Sequence, residues 1–187
     1  MTTSRLLPIG LALLLLALGC KPEVLPKPKA MLRLDYPGAD YVRTDSSCAY
    51  SFDRNLLSTA IQGGDCSMVL EYPQMKGAIY LTYKTVEGNL DTLIRDAQKL
   101  SYEHVVKADN ILSQPFVNPD EDVYGMFYEV SGNAASPSQF YVTDSTGHFL
   151  TGSLYFHSRP NYDSILPAAV YLRGDIRRLM ESLRWNP

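Results

Sequence analysis

Asp144, Ser145 and His148 place the three residue types of a hydrolytic triad within five positions of one another. In such a triad the histidine accepts the proton of the serine hydroxyl and the carboxylate orients the imidazole, and the members come from separate elements beside an oxyanion hole. Here they share one turn-forming run that includes Gly147, and no GxSxG elbow accompanies them. The sequence therefore favours a turn, and a hydrolase that uses Ser145 and His148 is the least supported of our hypotheses.

Two further groups of side chains could in principle bind a metal. Asp120, Glu121 and Asp122 are consecutive, and they lack the alternating ligands and the glycine of a calcium loop, so a solvated acidic turn is favoured. Zinc is disfavoured because the chain has no CxxC motif and its histidines lie far along the chain from the cysteines. We expect neither a metal nor a cofactor.

The thiol of Cys20 indicates chemistry of another kind. It follows an apolar run, Leu6–Leu18, that as a helix spans ~20 Å, well short of the ~30 Å hydrocarbon core of a bilayer. Such a run fits a signal peptide, and Ala17 and Gly19 before the cysteine resemble the lipobox that signal peptidase II cleaves. The sequence predicts a signal peptide over residues 1–19 and acylation of Cys20, which anchors the mature chain in a membrane. The alternative is an ordinary signal peptide with an incidental cysteine.

Cys48 and Cys66 are the two cysteines that follow Cys20. An exported chain meets an oxidising compartment, in which two thiols at this separation can form a disulfide. Closing a loop of this size stabilises a fold by ~3 kcal/mol in the chain-entropy account. We therefore predict a disulfide between Cys48 and Cys66, with two free buried thiols as the alternative.

Composition limits the partners and the organisation of the chain. The formal net charge is −3 and there is no basic block, which argues against nucleic acid as a partner. Residues 20–30 combine the lipidated cysteine with a linker rich in proline and lysine, which favours an extended conformation. Residues 31–187 then have the length of one domain, and the 45% apolar content of the chain argues against disorder.

Hydrophobic periodicity predicts grouped strands and two long helices. Alternation favours strands at Met31–Tyr36, Cys48–Phe52, Ser67–Tyr72, Gly77–Tyr83, Val123–Val130, Gln139–Thr143 and Phe149–Phe156. A helix capped by Asn89 carries apolar residues at helical spacing as far as Ala108, and a second helix runs from about Ser164 to Arg184. This order predicts an α+β fold in which an antiparallel sheet packs with two main helices, and it resembles the α-β-α sandwich of PsbP-type proteins.

Two segments are candidates for contact with another protein. The run Gly132–Pro137 contains small residues between two strong strands, where a plain hairpin needs fewer residues. Because loops on a rigid scaffold often carry recognition, Asn133, Ser136 and Pro137 form a candidate contact loop, and Arg159 before the last helix marks a second surface. A surface loop that has no binding role, and that the fold tolerates at little cost in entropy, explains the same residues equally well.

A series of short runs follows in fixed order along the chain: Cys48–Phe52, Tyr72-Pro73, Lys76-Gly77, Lys107–Asp109, Gly132–Pro137, Gln139-Phe140, Thr143–Ser145, His148–Leu150, Gly152–Phe156 and Arg159–Asn161. In content and order they resemble the GldD family of gliding-motility lipoproteins from Bacteroidetes, over nearly the whole mature domain. The resemblance implies a cell-envelope lipoprotein that is needed for gliding and is linked to type IX secretion. It brings no known catalytic residues, so only the lipidated Cys20 corresponds to a stated family feature.

These observations lead to two main functional hypotheses. The preferred one is a non-enzymatic accessory lipoprotein that faces the periplasm and contacts other gliding or secretion proteins of the envelope. The alternative is a glycan- or lipid-binding lipoprotein, which the tyrosine-rich strands and Gly152 motivate. That alternative predicts an apolar concave pocket of about 300–1,000 Å³ with a few converging polar groups.

Overall fold

Strands dominate the architecture of this chain. A computed structural model describes residues 34–44, 47–103, 107–157 and 161–186, which belong to one compact unit, Met31–Pro187. Within these ranges the strands β1 to β11 lie at Tyr41–Arg43, Tyr50–Ser51, Asp53–Asn55, Thr59–Gln62, Met68–Tyr72, Gly77–Thr85, Ala108–Asn118, Val123–Gly132, Ser138–Thr143, His148–Phe156 and Arg184–Trp185. Two α-helices, α1 and α2, lie at Leu90–Tyr102 and Tyr162–Ser182. Neither of them is long and apolar enough to cross a membrane.

Seven strands form one sheet in the order β4-β5-β6-β10-β9-β8-β7, and every neighbouring pair in it is antiparallel. Strands β4 and β7 are therefore its two edges. Two small antiparallel pairs, β1 with β3 and β2 with β11, complete the structure and bring Trp185 opposite Tyr50. The α+β class predicted from the sequence is confirmed.

The two helices pack against opposite faces of the sheet. Successive side chains of a strand point to opposite faces, and the central strands use both. Phe140 and Leu150 pack with Ile176 of α2 in the main core. Tyr141 and Phe149, each one residue out of phase with these, pack against α1 in a smaller cluster. The result is a helix–sheet–helix layering, while the likeness to PsbP-type proteins stays a prediction.

The strands with clear alternation form where the sequence predicts them. Met68–Tyr72 and Gly77–Thr85 are a hairpin joined by a short 3₁₀ turn at Pro73–Met75, and Lys76 ends this turn in a left-handed conformation. Strands β8, β9 and β10 likewise coincide with predicted strands to within two residues at each end. Period-two patterns identify these strands because alternate residues pack in the main core, although the other face of the central strand β9 is buried as well.

Three predicted elements differ from the structure. Residues 34–36 are not a strand, and residues 31–33 of the predicted Met31–Tyr36 lie outside the described ranges. Only Tyr50–Ser51 of the predicted Cys48–Phe52 strand is regular, because its partner is the short C-terminal strand β11. The first helix ends at Tyr102 and not near Ala108, since Ala108 begins the long edge strand β7, which pairs with β8 along its length.

Helix α2 begins and ends two residues earlier than predicted. Asn161 is the N-cap residue of α2, and Pro167 lies within the helix. At its C-terminal end the helix stops at Ser182, because Arg184 and Trp185 extend to pair with β2. Pairing with a strand more than 130 residues earlier in the chain thus overrides the helical pattern of the last residues.

Gly152 illustrates the close approach that a glycine within a strand permits. The register of β10 against β9 continues through it, with Gly152 directly opposite Phe140. A Cβ atom added at Gly152 would lie 2.0 Å from the Phe140 ring. The ring therefore occupies the space that a side chain at residue 152 would need, and the glycine opens no cleft.

Candidate protein-contact site

The loop Gly132–Pro137 serves first as a support for α2. The Asn133 side-chain oxygen accepts a 2.9 Å hydrogen bond from the backbone N–H of Tyr162, the first residue of the helix. That N–H has no acceptor within the helix, so the loop supplies a cap from a distant part of the chain. Ser136 is fully buried, and its hydroxyl donates to the carbonyl oxygen of Ser138 at 3.2 Å.

The predicted contact residues differ in their exposure to solvent. Asn133 is exposed, whereas Ser136 and Pro137 are buried, and Arg159 lies outside the described residues. Among the three described residues, Asn133 alone presents its side chain to a partner on the outer surface. Pro137 contributes differently, because it lines a groove beside the sheet edge.

This groove lies between the first half of α2 and strands β7 and β8. Its cavity has a volume of about 140 Å³. The apolar lining comes from Leu112 of β7, Val130 of β8, Pro137 of the loop, and Leu166 and Ala169 of α2. Leu112 is 48% exposed, so a large apolar side chain of the edge strand is left uncovered at the opening of this cavity.

A second, smaller cavity of about 50 Å³ lies further along the contact between α2 and β7. Pro115 and Phe116 of β7, Phe127 of β8 and Met180 of α2 supply its apolar lining. We call the two cavities together the α2–β7 groove.

A cluster of charges lies between the two cavities. Glu129 of β8 accepts hydrogen bonds from both Arg173 and Arg177 of α2, and Arg177 also donates to Gln114 of β7 at 2.8 Å. Burial of Glu129 favours its neutral form, but the two guanidinium groups outweigh burial and lower the pKa of this carboxyl. One carboxylate shared by two arginines gives this cluster of three side chains a net positive charge, and a second carboxylate, Glu181, lines the smaller cavity.

The residues of the hydrolase hypothesis lie on the β9–β10 turn and do not form a triad. The hydroxyl of Tyr83 and Nδ1 of His148 are 2.8 Å apart, and the imidazole stacks on Trp185 with ring centroids 5.1 Å apart. Ser145 is exposed, with a left-handed backbone conformation, and its N–H donates to the Thr143 hydroxyl. The serine and histidine thus have different partners, and no nucleophile–base pair is formed.

Asp144 orders this turn through its backbone contacts. Its Oδ1 accepts hydrogen bonds of 2.8–3.0 Å from the N–H groups of Thr146, Gly147 and His148. Burial works against ionisation of this carboxyl, but these donors outweigh it and lower the pKa of Asp144 to about 2. Turn formation, which the sequence favoured over catalysis, accounts for all these contacts.

An open cavity of about 510 Å³ lies beside the turn. Its lining is mostly polar, with Asp120, Glu121 and Asp122 from the 3₁₀ turn before β8 and His148 and Trp185 from the stacked pair. It therefore lacks the apolar character that a glycan- or lipid-binding pocket was predicted to have. Among the described residues, no three histidines, cysteines or acidic residues are arranged to hold a metal ion.

Comparison with known families identifies the chain. Residues 21–185 match the family described as gliding motility lipoprotein GldD. The chain belongs to the GldD family. No curated protein matches it. Membership indicates a membrane-anchored lipoprotein of the gliding machinery, and the matched region begins directly after Cys20.

Two runs of the chain that resemble the GldD family have clear structural roles. The Gly132–Pro137 run caps α2 and lines the groove, as described above. The Cys48–Phe52 run contains Cys48, which forms a disulfide with Cys66, their Cα atoms being 5.5 Å apart. Tyr50 of the same run is fully buried, and its hydroxyl donates to the carbonyl oxygen of Cys66 at 2.7 Å. The structure thus contains the disulfide predicted from the sequence.

The α2–β7 groove could not be predicted from the sequence, because β7, which contains Pro115 and several polar residues, does not have the pattern of a strand. The spacing of Arg173 and Arg177 was the available signal, since residues four apart share one helix face. That signal could not identify Glu129, which lies 44 residues before Arg173, as their common partner. Only the packing of α2 over the sheet brings the three together.

Proposed function

We propose that this GldD family member is a non-enzymatic accessory lipoprotein whose folded domain contacts other proteins of the gliding and type IX secretion machinery in the periplasm. The family match over residues 21–185 carries the proposal. The separate partners of Ser145 and His148, and the open groove beside a sheet edge, support a binding role. The chain acts as an anchored partner in an assembly.

The anchor in this proposal is the acylated Cys20. Residues 1–19 are removed as a signal peptide, residues 20–30 form the linker, and residues 31–187 form the domain. One acyl chain alone binds a membrane weakly and reversibly, so stable anchoring needs more than one chain. The chain has three cysteines, which makes the site of labelling simple to assign.

Metabolic labelling with a palmitate analogue tests the anchor. We expect label on the parent protein and on a Cys48→Ala/Cys66→Ala variant, and none on a Cys20→Ala variant. The double variant is the matched control because it keeps Cys20 and lacks the other two thiols. Label that persists in the Cys20→Ala protein contradicts the proposal.

Gliding and secretion assays of a strain that carries Cys20→Ala test the role. We expect both activities to fall while the exported domain keeps its Cys48–Cys66 disulfide, seen as a mobility difference on non-reducing gels. The disulfide shows that the variant has reached an oxidising compartment, and an unchanged amount of protein shows that loss of activity does not come from degradation of a misfolded domain. Normal gliding and normal secretion with a stable, unlipidated protein contradict the proposed role of the anchor.

A further inference from the structure

We propose that the outer edge of β7 binds an extended segment of a partner protein, which adds to the sheet as an eighth strand. The segment carries an apolar residue, an acidic residue two positions later and a second apolar residue two positions after that. This inference rests on the proposed function and specifies the chemistry of the partner.

The backbone of β7 is available for such pairing. It is eleven residues long, and no strand in the described part of the chain pairs with its outer edge. Proline has no N–H to donate, so Pro115 fits this strand where its nitrogen faces the outer edge and not β8. Because backbone groups alternate along a strand, the N–H and C=O groups of Ile111 and Ser113 face outward as well.

The side chains of β7 protect this edge only in part. Sheet edges are usually protected by charged side chains, prolines or bulges, or by being very short. In β7 the bulge and Asp109 lie at the first residues of the strand, and Pro115 removes one outward N–H. The strand has no lysine or arginine, and it leaves Leu112 and Val117 at 48% and 67% exposure. The opposite edge, β4, has only the four residues Thr59–Gln62.

The α2–β7 groove sets the spacing of the apolar residues. Leu112 lines the larger cavity and Phe116 the smaller one, so the two sites are four residues apart along β7. At ~3.3 Å per residue this is ~13 Å, the distance between side chains i and i+4 of an added strand on the same face. A cavity of about 140 Å³ matches the size of one large aliphatic or aromatic side chain, and about 50 Å³ suits a smaller one.

The charge cluster specifies the residue between them. Gln114 lies between Leu112 and Phe116 on the same face of β7 and contacts Arg177. Arg173 and Arg177 share Glu129, so these three side chains together carry one positive charge. The other carboxylate of the groove, Glu181, lines the smaller cavity and not the larger one, so the side of the cluster towards Leu112 can accept a further carboxylate. Residue i+2 of the added strand lies beside this position, and an acidic side chain there gives the best charge complementarity.

Binding of short peptides to the detergent-solubilised full-length protein tests the pattern. The probe is a fluorescently labelled peptide, TLTETVT, measured by fluorescence anisotropy against TLTKTVT and TTTETTT. We expect saturable binding of the first peptide and about tenfold or weaker binding of the other two, since TLTKTVT loses the acidic contact and TTTETTT loses both apolar contacts. Equal binding of all three peptides, or of none, overturns the proposed pattern.

Two pairs of variants assign binding to the edge. Pro115 already lacks one outward N–H, so Ser113→Pro removes a second one and should weaken peptide binding about tenfold, whereas Ser113→Ala keeps that N–H and should bind normally. Arg177→Gln should reduce the preference for TLTETVT over TLTKTVT, whereas Arg178→Gln, whose arginine pairs with Asp53, should not. Thermal unfolding of each variant identifies a folding defect. If Ser113→Pro does not fold, the comparison of Arg177→Gln with Arg178→Gln decides whether the peptide binds at this edge. A preference that is unchanged in Arg177→Gln overturns the assignment.

Crosslinking in cells separates this inference from the proposed function. A photoreactive amino acid at residue 113 should form an adduct with an envelope protein, and one at residue 62 on the opposite edge should not. Adducts at residue 62 alone overturn the inference while the protein-contact role stands. Adducts at neither position, together with normal gliding and secretion in Cys20→Ala cells, contradict both. An adduct of the chain with a second copy of itself overturns the assignment to a different partner.

Discussion

At the scale of single residues, Gly152 and Gly174 differ in the space that is available for a side chain. A methyl group at residue 152 would meet the buried Phe140 ring at 2.0 Å, whereas one at residue 174, within α2, meets no atom within 4 Å. We expect Gly152→Ala to lower the free energy of unfolding by ~1–3 kcal/mol, because extra volume in a packed core is costly. Gly174→Ala should raise it by ~0.5–1 kcal/mol, as alanine favours a helix interior. Urea denaturation measures both.

A double variant identifies the cause of the Gly152→Ala effect. Phe140→Leu with Gly152→Ala should be more stable than the sum of the two single effects, because the smaller side chain removes the clash. Additive effects would mean that Phe140 moves away freely and that the close approach does not limit stability.

Asp175 of α2 is a buried carboxyl within a network of neutral donors. Its oxygens accept hydrogen bonds from the hydroxyl of Tyr41 at 2.8 Å and from the side-chain amide of Asn55 at 3.0–3.1 Å. Burial raises its pKa above the ordinary value, and these donors only partly oppose the rise. The folded state therefore binds this proton more tightly than the unfolded state does.

This pKa shift determines the sign of a pH dependence. Asp175 contributes stability below the ordinary carboxyl pKa of ~3.9, and that contribution is lost as pH rises through the raised pKa of the folded state. We expect Asp175→Asn to remove this decline in the free energy of unfolding, measured by urea denaturation at successive pH values. Asp144→Asn is a control with the opposite pH dependence of the free energy of unfolding. The stability that Asp144 contributes is lost as pH falls towards its pKa of about 2. A decline that persists in Asp175→Asn assigns it to another group.

At the scale of elements, the start of α2 depends on a loop from elsewhere in the chain. Asn133 is the side chain that accepts the Tyr162 N–H. We expect Asn133→Ala to lower the free energy of unfolding by ~0.5–2 kcal/mol, the usual cost of a lost helix cap. Asn133→Asp keeps an acceptor and should stay close to the parent, which thermal unfolding will show. Equal losses in the two variants would indicate that the loop supports α2 through packing.

At the scale of the whole molecule, the β2–β11 pair joins the two ends of the domain, and the disulfide closes a loop next to β2. Cys48 and Cys66 close a loop of 18 residues, and β11 pairs with β2, which follows Cys48 by two residues. We expect Cys48→Ser/Cys66→Ser to lower the free energy of unfolding by ~3 kcal/mol, from the greater entropy of the unfolded chain. Urea denaturation of the double variant and of the parent with and without reductant measures this loss. A reductant effect that persists in the double variant would contradict it.

The sequence by itself determined the features that depend on local patterns. The β5–β6 hairpin was predictable because alternating apolar residues and the turn before Gly77 lie within one short segment. The α+β class followed from grouped strands with two helices, and the runs from Cys48 to Asn161 indicated the family. Each of these signals is contained in residues close together in the chain or in their order.

Tertiary structure alone decided the features that depend on distant partners. Strand β7 contains Pro115 and polar residues and lacks regular alternation, so its assignment comes from pairing with β8. The sharing of Glu129 by two arginines and the capping of α2 by Asn133 also join residues far apart in the chain. Periodicity records which face of an element is buried, but not which residue covers it. For that reason the family and the fold class of this protein were predictable from its sequence, whereas the groove beside its sheet edge required the fold.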